Sequence, residues 1–107
     1  MLVIIESPFK GDEVENINYA RECVRHSLLL GESPIASHLL YTQEGILNDA
    51  IESERILGIS AGLSWVSVAE KTAVYIDLGI SKGMEYGIKV AKDAGVDIEY
   101  RKIRGNN

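Results

Sequence analysis

Hydroxyls, an imidazole, two carboxylates and a helix start fall where three strands of this chain should end. Ser7-Pro8-Phe9 follows the opening apolar run and Ser37-His38 the second. Asp77 leads into Ser81-Lys82-Gly83-Met84-Glu85-Tyr86-Gly87 after the third. In an open parallel α/β sheet, ligands bind in the crevice beyond the carboxyl ends of the strands. These residue types suit a sugar or nucleotide better than a protein surface. Candidate ligand contacts at the first two strand ends are therefore Ser7, Pro8, Phe9, Ser37 and His38. After the third strand they are Asp77, Ser81, Gly83 and Met84.

Glu85 is the sharpest catalytic candidate. It falls in the first turn or so of a helix, where the macrodipole favours an ionised carboxylate. A carboxylate kept anionic at a crevice mouth can attack an anomeric carbon, as in retaining glycosidases; the plainer reading is an exposed acid that steadies its helix. Asp77 ends a buried strand and could bind a ribose hydroxyl or hold a proton, or else cap the following loop. His38 could act as acid, base or donor, or simply be a loop histidine. Gly79 to Gly83 leads into a helix N-terminus and could cradle a phosphate, though it matches neither a P-loop nor a dinucleotide fingerprint. Tyr19, Tyr41, Tyr86 and Trp65 could stack on a base, with Tyr19 kept as a ligand contact, and Arg21 and Arg55 could neutralise a phosphate. His38 and His26 are too few for a zinc site, and neither a metal nor another cofactor is expected.

The elements that must position these groups follow from periodicity. Leu2 to Ile5 is a continuous apolar run, the pattern of a strand covered on both faces. Val14, Ile17, Val24 and Leu28 recur at helical spacing and predict a helix from about Asp12 to Leu30, closed by Gly31. Pro34 to Ala36 reads as a short strand. From Ser37 to Ile51 no period holds, so a long loop is expected, functional or mobile. Helical spacing resumes from Glu52 to Ala69 through Ile56, Ile59, Leu63 and Val66. Thr72 to Ile76 is a buried third strand. Ser81 is a candidate N-cap for a helix carrying Met84, Ile88 and Ala91 and ending at Gly95. Val96, Ile98 and Tyr100 alternate with charged residues in a last strand. The order β-α-β-α-β-α-β implies a single α/β domain over 1–107: a small flavodoxin-like three-layer sandwich of about four parallel strands, with helices on both faces.

A chain of 107 residues, 46% hydrophobic and 25% charged, has the composition of an ordinary globular domain. Its net charge of −5 argues against a nucleic-acid partner, since that binding needs clustered cations. Arg101, Lys102 and Arg104 make the end locally basic and read as a solvated tail, with contact to one phosphate the lesser alternative. Cys23 stands alone, so it reads as inert packing rather than half of a disulfide. No apolar run approaches the roughly 20 residues of a membrane helix, and Met1 to Ile5 lacks the basic start of a signal peptide. No membrane partner is expected, and the expected location is the cytoplasm, that of the host if a phage encodes the protein. A small sheet with three helices leaves apolar faces that a second copy would cover, so a homodimer or higher homo-oligomer is expected.

The strand ending in Ser7-Pro8-Phe9, then Asn16, Tyr19-Ala20-Arg21, Pro34 to Leu40, and Asp77 through Gly87 resemble the nucleoside 2-deoxyribosyltransferase-like superfamily, and within it a small branch of phages and bacteria. The resemblance runs along nearly the whole chain at the level of element order. It implies a flavodoxin-like sheet, a homo-oligomer with sites near subunit contacts, and a ligand containing a nucleoside. The family's nucleophilic glutamate lies in a stretch of the form S-x-G-x-x-x-E-x-G. Ser81 to Gly87 keeps the Glu-x-Gly ending but is two residues shorter. Glu85 inherits the role only with a gap; without one the position falls on Gly87. The family's N-glycosidases also carry an aspartate that helps protonate the leaving base, and here its position is Gly62. A pocket outline beside altered catalytic positions favours binding of a nucleoside- or nucleotide-derived molecule; in a phage this would be sequestration of a host nucleotide immune signal. The alternative is an N-glycosidase or deoxyribosyltransferase acting through Glu85.

Overall fold

The apolar run at the start forms the second strand of a four-stranded parallel sheet, in the order β2-β1-β3-β4. The computed structural model describes residues 1–105, so the last two residues of the expected 1–107 domain lie outside it. The strands are β1 (Leu2–Glu6), β2 (Ser33–Ile35), β3 (Lys71–Tyr75) and β4 (Asp97–Arg101), and the helices are α1 (Glu13–Leu29), α2 (Ser37–Leu40), α3 (Glu52–Leu63) and α4 (Lys82–Asp93). Ile4 pairs with Thr72 and Glu6 with Val74 across β1 and β3. Side chains alternate along a strand, so Ile4, Glu6, Thr72 and Val74 share one face of the sheet. Val3, Ile5, Ala73 and Tyr75 share the other.

α1 covers that second face, where Tyr19 and Cys23 pack with Val3, Ile5 and Tyr75. Asp12 caps it by accepting from Glu15 N at 3.1 Å. Its buried stripe is Asn16, Tyr19, Ala20, Cys23 and Ser27; of the expected one, Val24 is half-buried against the core and Ile17 half-buried, whereas Val14 and Leu28 are exposed. The helix chooses the stripe whose small side chains let it lie close to the sheet, with Tyr19 filling the remaining space. Gly31 and Gly95, at φ 84° and 77°, supply the left-handed step that ends α1 and α4. α4 covers the first face, burying Met84 and Ile88 against Val74. Ser81 caps it as expected, accepting from Met84 N at 3.2 Å.

Three further expectations need correction, the first being that the helix expected from Glu52 to Ala69 ends at Leu63 and gives way to a 3-10 turn over Ser64–Ser67. The stretch after β2 is not all loop, because Ser37 to Leu40 forms the short α2. Nor is the basic end a solvated tail. Arg101 is buried and donates from Nη2 to Glu32 Oε2 at 2.6 Å. From Nη1 it donates to Glu32 Oε1 and to the Tyr75 hydroxyl, each at 2.9 Å. Arg104 pairs with Glu15 and Glu22 on α1 and lies over the Tyr19 ring. α1 and the turn between α1 and β2 thus supply the carboxylates, Glu15, Glu22 and Glu32, that draw these guanidinium groups inward. Among the described residues, no helix is long and apolar enough to cross a membrane.

Candidate functional site

Where β1 and β3 end, α4 and α3 diverge over the sheet and leave a cavity of about 510 Å³. Ile4, Glu6 and Thr72 form its sheet side, Ile59, Leu63 and Val66 one wall, and Ser81 to Met84 the opposite wall. Phe9 and Lys10 come from the loop after β1. That loop is held by Asn16, whose amide donates to Phe9 O at 2.9 Å and Lys10 O at 3.0 Å. A wider depression of about 1080 Å³ runs along residues 42–54 and shares Phe9, Lys10 and Asp49 with the cavity.

Ser7 and His38 meet inside the cavity, Oγ to Nε2 at 2.7 Å. Burial pushes the imidazole down to about 4, so His38 is neutral at neutral pH and exchanges a hydrogen bond rather than a charge with Ser7. Ser37 stands beside them, packed against α3 at Gly62. A β-carbon at position 62 would lie 3.0 Å from the Ser37 β-carbon. That close approach explains a glycine there and leaves no room for an aspartate.

The cavity's most unusual group is Glu6. Burial pushes its carboxyl up to about 8, and among the described residues no hydrogen bond or ion pair reaches it. The backbone of α4 holds it instead. A β-carbon on Gly87 would lie 2.7 Å from the Glu6 carboxyl carbon and 3.0 Å from Oε1. The space a side chain at 87 would fill is therefore occupied by a carboxyl from β1. Thr72, on the neighbouring strand, is also buried, and its Oγ1 has no hydrogen-bond partner.

Lys10, Arg55 and Lys82 bring three positive charges to the lining, with Asp49 as an opposing acid. Among the described residues none of these cations is in an ion pair. The amino end of α4 adds its dipole to the same wall. No three His, Cys, Asp or Glu side chains among the described residues gather to hold a metal ion.

Of the residues singled out from the sequence, Ser7, Phe9, Ser37, His38, Ser81, Gly83 and Met84 are brought together on the lining. Pro8 is buried beside them without lining the cavity. Three others are not brought there. Asp77 accepts from the Tyr19 hydroxyl at 2.5 Å, from Ile103 N at 3.0 Å and from Arg104 N at 2.9 Å. Burial pushes its carboxyl up, but the bonds from Tyr19, Ile103 and Arg104 outweigh this and hold it below the usual value. Asp77 and Tyr19 together fasten the chain after β4, which is why neither turns to the cavity. Glu85 is exposed and absent from the lining, because the residues of α4 facing the sheet are Met84, Ile88 and Ala91. Of the aromatic candidates Tyr86 lines the cavity, whereas Trp65 donates to the Tyr41 hydroxyl at 3.0 Å outside it. Glu6, Lys10 and Thr72 went unnoticed in the sequence. The available signal was strand alternation, which puts position 6 on the face of Ile4.

The fold is shared with a solved 2-deoxyribosyltransferase from the psychrotolerant bacterium Bacillus psychrosaccharolyticus, at TM-score 0.68 and 16% identity, over 100% of this chain and 76% of that chain. That protein is described as a biocatalyst for the synthesis of antiviral and antitumoral nucleosides. At this identity the likeness establishes the fold. No curated protein matches the chain. The family model that does match spans residues 1–101, and the chain belongs to that family, described as "Domain of unknown function (DUF7768)".

Proposed function

We propose that this protein binds a nucleotide-derived small molecule in the cavity between α3 and α4, with the phosphate toward Lys10, Arg55, Lys82 and the start of α4. The observation that carries the reading is a reversal of charge. The chain is −5 overall, yet its cavity gathers three cations, in no ion pair among the described residues, against Asp49 and a carboxyl that burial keeps largely protonated. Cations grouped at a helix N-terminus favour an anion, and the walls from Ile59, Leu63, Val66 and Met84 suit the apolar faces of a base. Kinship of fold with a 2-deoxyribosyltransferase supports a nucleoside-type ligand. The depression along residues 42–54 supports a ligand longer than a mononucleotide, of the ADP-ribose type. Binding without turnover is the activity assigned, and sequestration of a nucleotide signal is its simplest use.

Assembly belongs to the same proposal. Ile56, Leu57 and Ile59 of α3 are 55%, 61% and 43% exposed, which supports a homo-oligomer whose contact lies beside the cavity; sedimentation reads it directly. For the ligand, isothermal titration of adenosine, adenosine monophosphate and ADP-ribose is the test. The phosphorylated compounds should bind more tightly, with an affinity that falls as salt rises and falls again in Arg55→Ala. Equal affinity for the nucleoside and its phosphate, or binding by none of the three, would defeat the proposal.

A further inference from the structure

Glu6 is placed as few carboxyls are. It is fixed by shape, because α4 reaches it through the bare backbone at Gly87. It is not fixed by bonds, since no donor or cation among the described residues meets it. Lys10, Arg55 and Lys82 share the cavity, yet none of them pairs with it. A half-buried carboxyl without a partner needs a reason. On the adjacent strand lies Thr72, with a buried hydroxyl that no group among the described residues satisfies. Of these two unpartnered groups on one sheet face, the Thr72 hydroxyl is sealed beneath the surface, whereas Glu6 keeps part of its surface open and is the polar group that the cavity presents between Ile4 and Met84.

We propose that Glu6 holds the ring end of the nucleotide, its carboxyl O–H donating a hydrogen bond to a ring acceptor and its other oxygen accepting one from the donor beside that acceptor. The inference rests on the nucleotide reading above and adds the orientation: base on the sheet against Glu6, phosphate outward on the cations. A protonated carboxyl has one donor and one acceptor side by side. The edge of a nucleobase offers the complementary pair, whereas a cationic ligand would require the ionised form. Burial keeps Glu6 in the required form up to about pH 8. The titratable and charged groups facing the same cavity are His38 on α2, Arg55 on α3, Lys82 and Tyr86 on α4, and Lys10 and Asp49 on the loops.

Three titrations decide it, each with adenosine monophosphate and with ribose 5-phosphate, which keeps the phosphate and lacks the base. Wild type should bind the nucleotide at least tenfold more tightly at pH 7, and that advantage should shrink about tenfold by pH 9 as the carboxyl ionises. Glu6→Gln keeps a donor and an acceptor, so it should retain the advantage and lose the pH dependence. What pH dependence survives in Glu6→Gln measures the six neighbouring groups. Glu6→Ala should lose about tenfold for the nucleotide and nothing for ribose 5-phosphate. Equal losses for both ligands, or a pH profile unchanged in Glu6→Gln, overturn the role of Glu6 while nucleotide binding stands. Failure of wild type to bind either ligand overturns both proposals together.

Discussion

Replacing Glu6 by glutamine should make the protein more stable, and increasingly so as pH rises. The carboxyl is raised from 4.5 to about 8 in the folded chain by burial. A raised carboxyl contributes its stability fully below 4.5 and loses it as pH climbs through the folded value. At about 1.4 kcal/mol per pH unit, wild type loses about 2–3 kcal/mol from this residue between pH 5 and pH 7, and about 5 kcal/mol once both states are ionised. Glutamine has nearly the same shape, fits the same space beside Gly87, and does not titrate. His38 is common to both proteins, so its own pH response cancels in the difference. Urea unfolding at pH 5, 6, 7 and 8 should therefore show the variant gaining about 2–3 kcal/mol on wild type from pH 5 to 7, or roughly 10 °C in melting temperature. Parallel stability curves over that range would mean that Glu6 is hydrated in the folded protein, and the argument from burial would be wrong.

Arg101→Ala strips Glu32 and the Tyr75 hydroxyl of their buried partner, and should cost about 3–5 kcal/mol in urea unfolding; a loss below about 1 kcal/mol would show the pair to be solvated. Gly87→Ala puts a β-carbon against the Glu6 carboxyl and should cost about 1–3 kcal/mol. Most of that loss should vanish when Glu6→Ala is made in the same chain, and strict additivity would show that the two residues do not touch. Cys23 is fully buried with its thiol pushed up to about 12, chiefly by burial. Native protein should leave a thiol reagent unreacted for as long as it stays folded, and rapid labelling without urea would contradict the packing of α1.

Much of the fold was legible because its signals are local. The apolar runs at Leu2 and Thr72 name the central strands, and Ser81 and Gly95 mark the ends of α4. What periodicity could not tell was which apolar stripe of α1 turns inward. Val14 and Leu28 are larger than Ala20 and Ser27, but the close approach to the sheet rewards small residues, and that is a property of the neighbour. The site divided along the same line. Ser7, Phe9, Ser37 and His38 follow strand ends directly, so topology alone brings them together. Asp77 also ends a strand, yet it is claimed by backbone amides at 103 and 104 that no local pattern connects to it. Glu6 escaped notice for the converse reason. Only Gly87, far along the chain, leaves the room that makes a strand-end acid part of a cavity, and glycines at 62 and 87 look like losses until their neighbours Ser37 and Glu6 are seen.

The central claim is that the cavity over β1 and β3 takes a nucleotide in a fixed orientation. A crystal structure of the protein soaked with adenosine monophosphate addresses it most directly. The account predicts the base against Glu6, with the phosphate among Lys10, Arg55 and Lys82. A nucleotide seated beside Asp77 and Tyr19, or an empty cavity at saturating ligand, would contradict it.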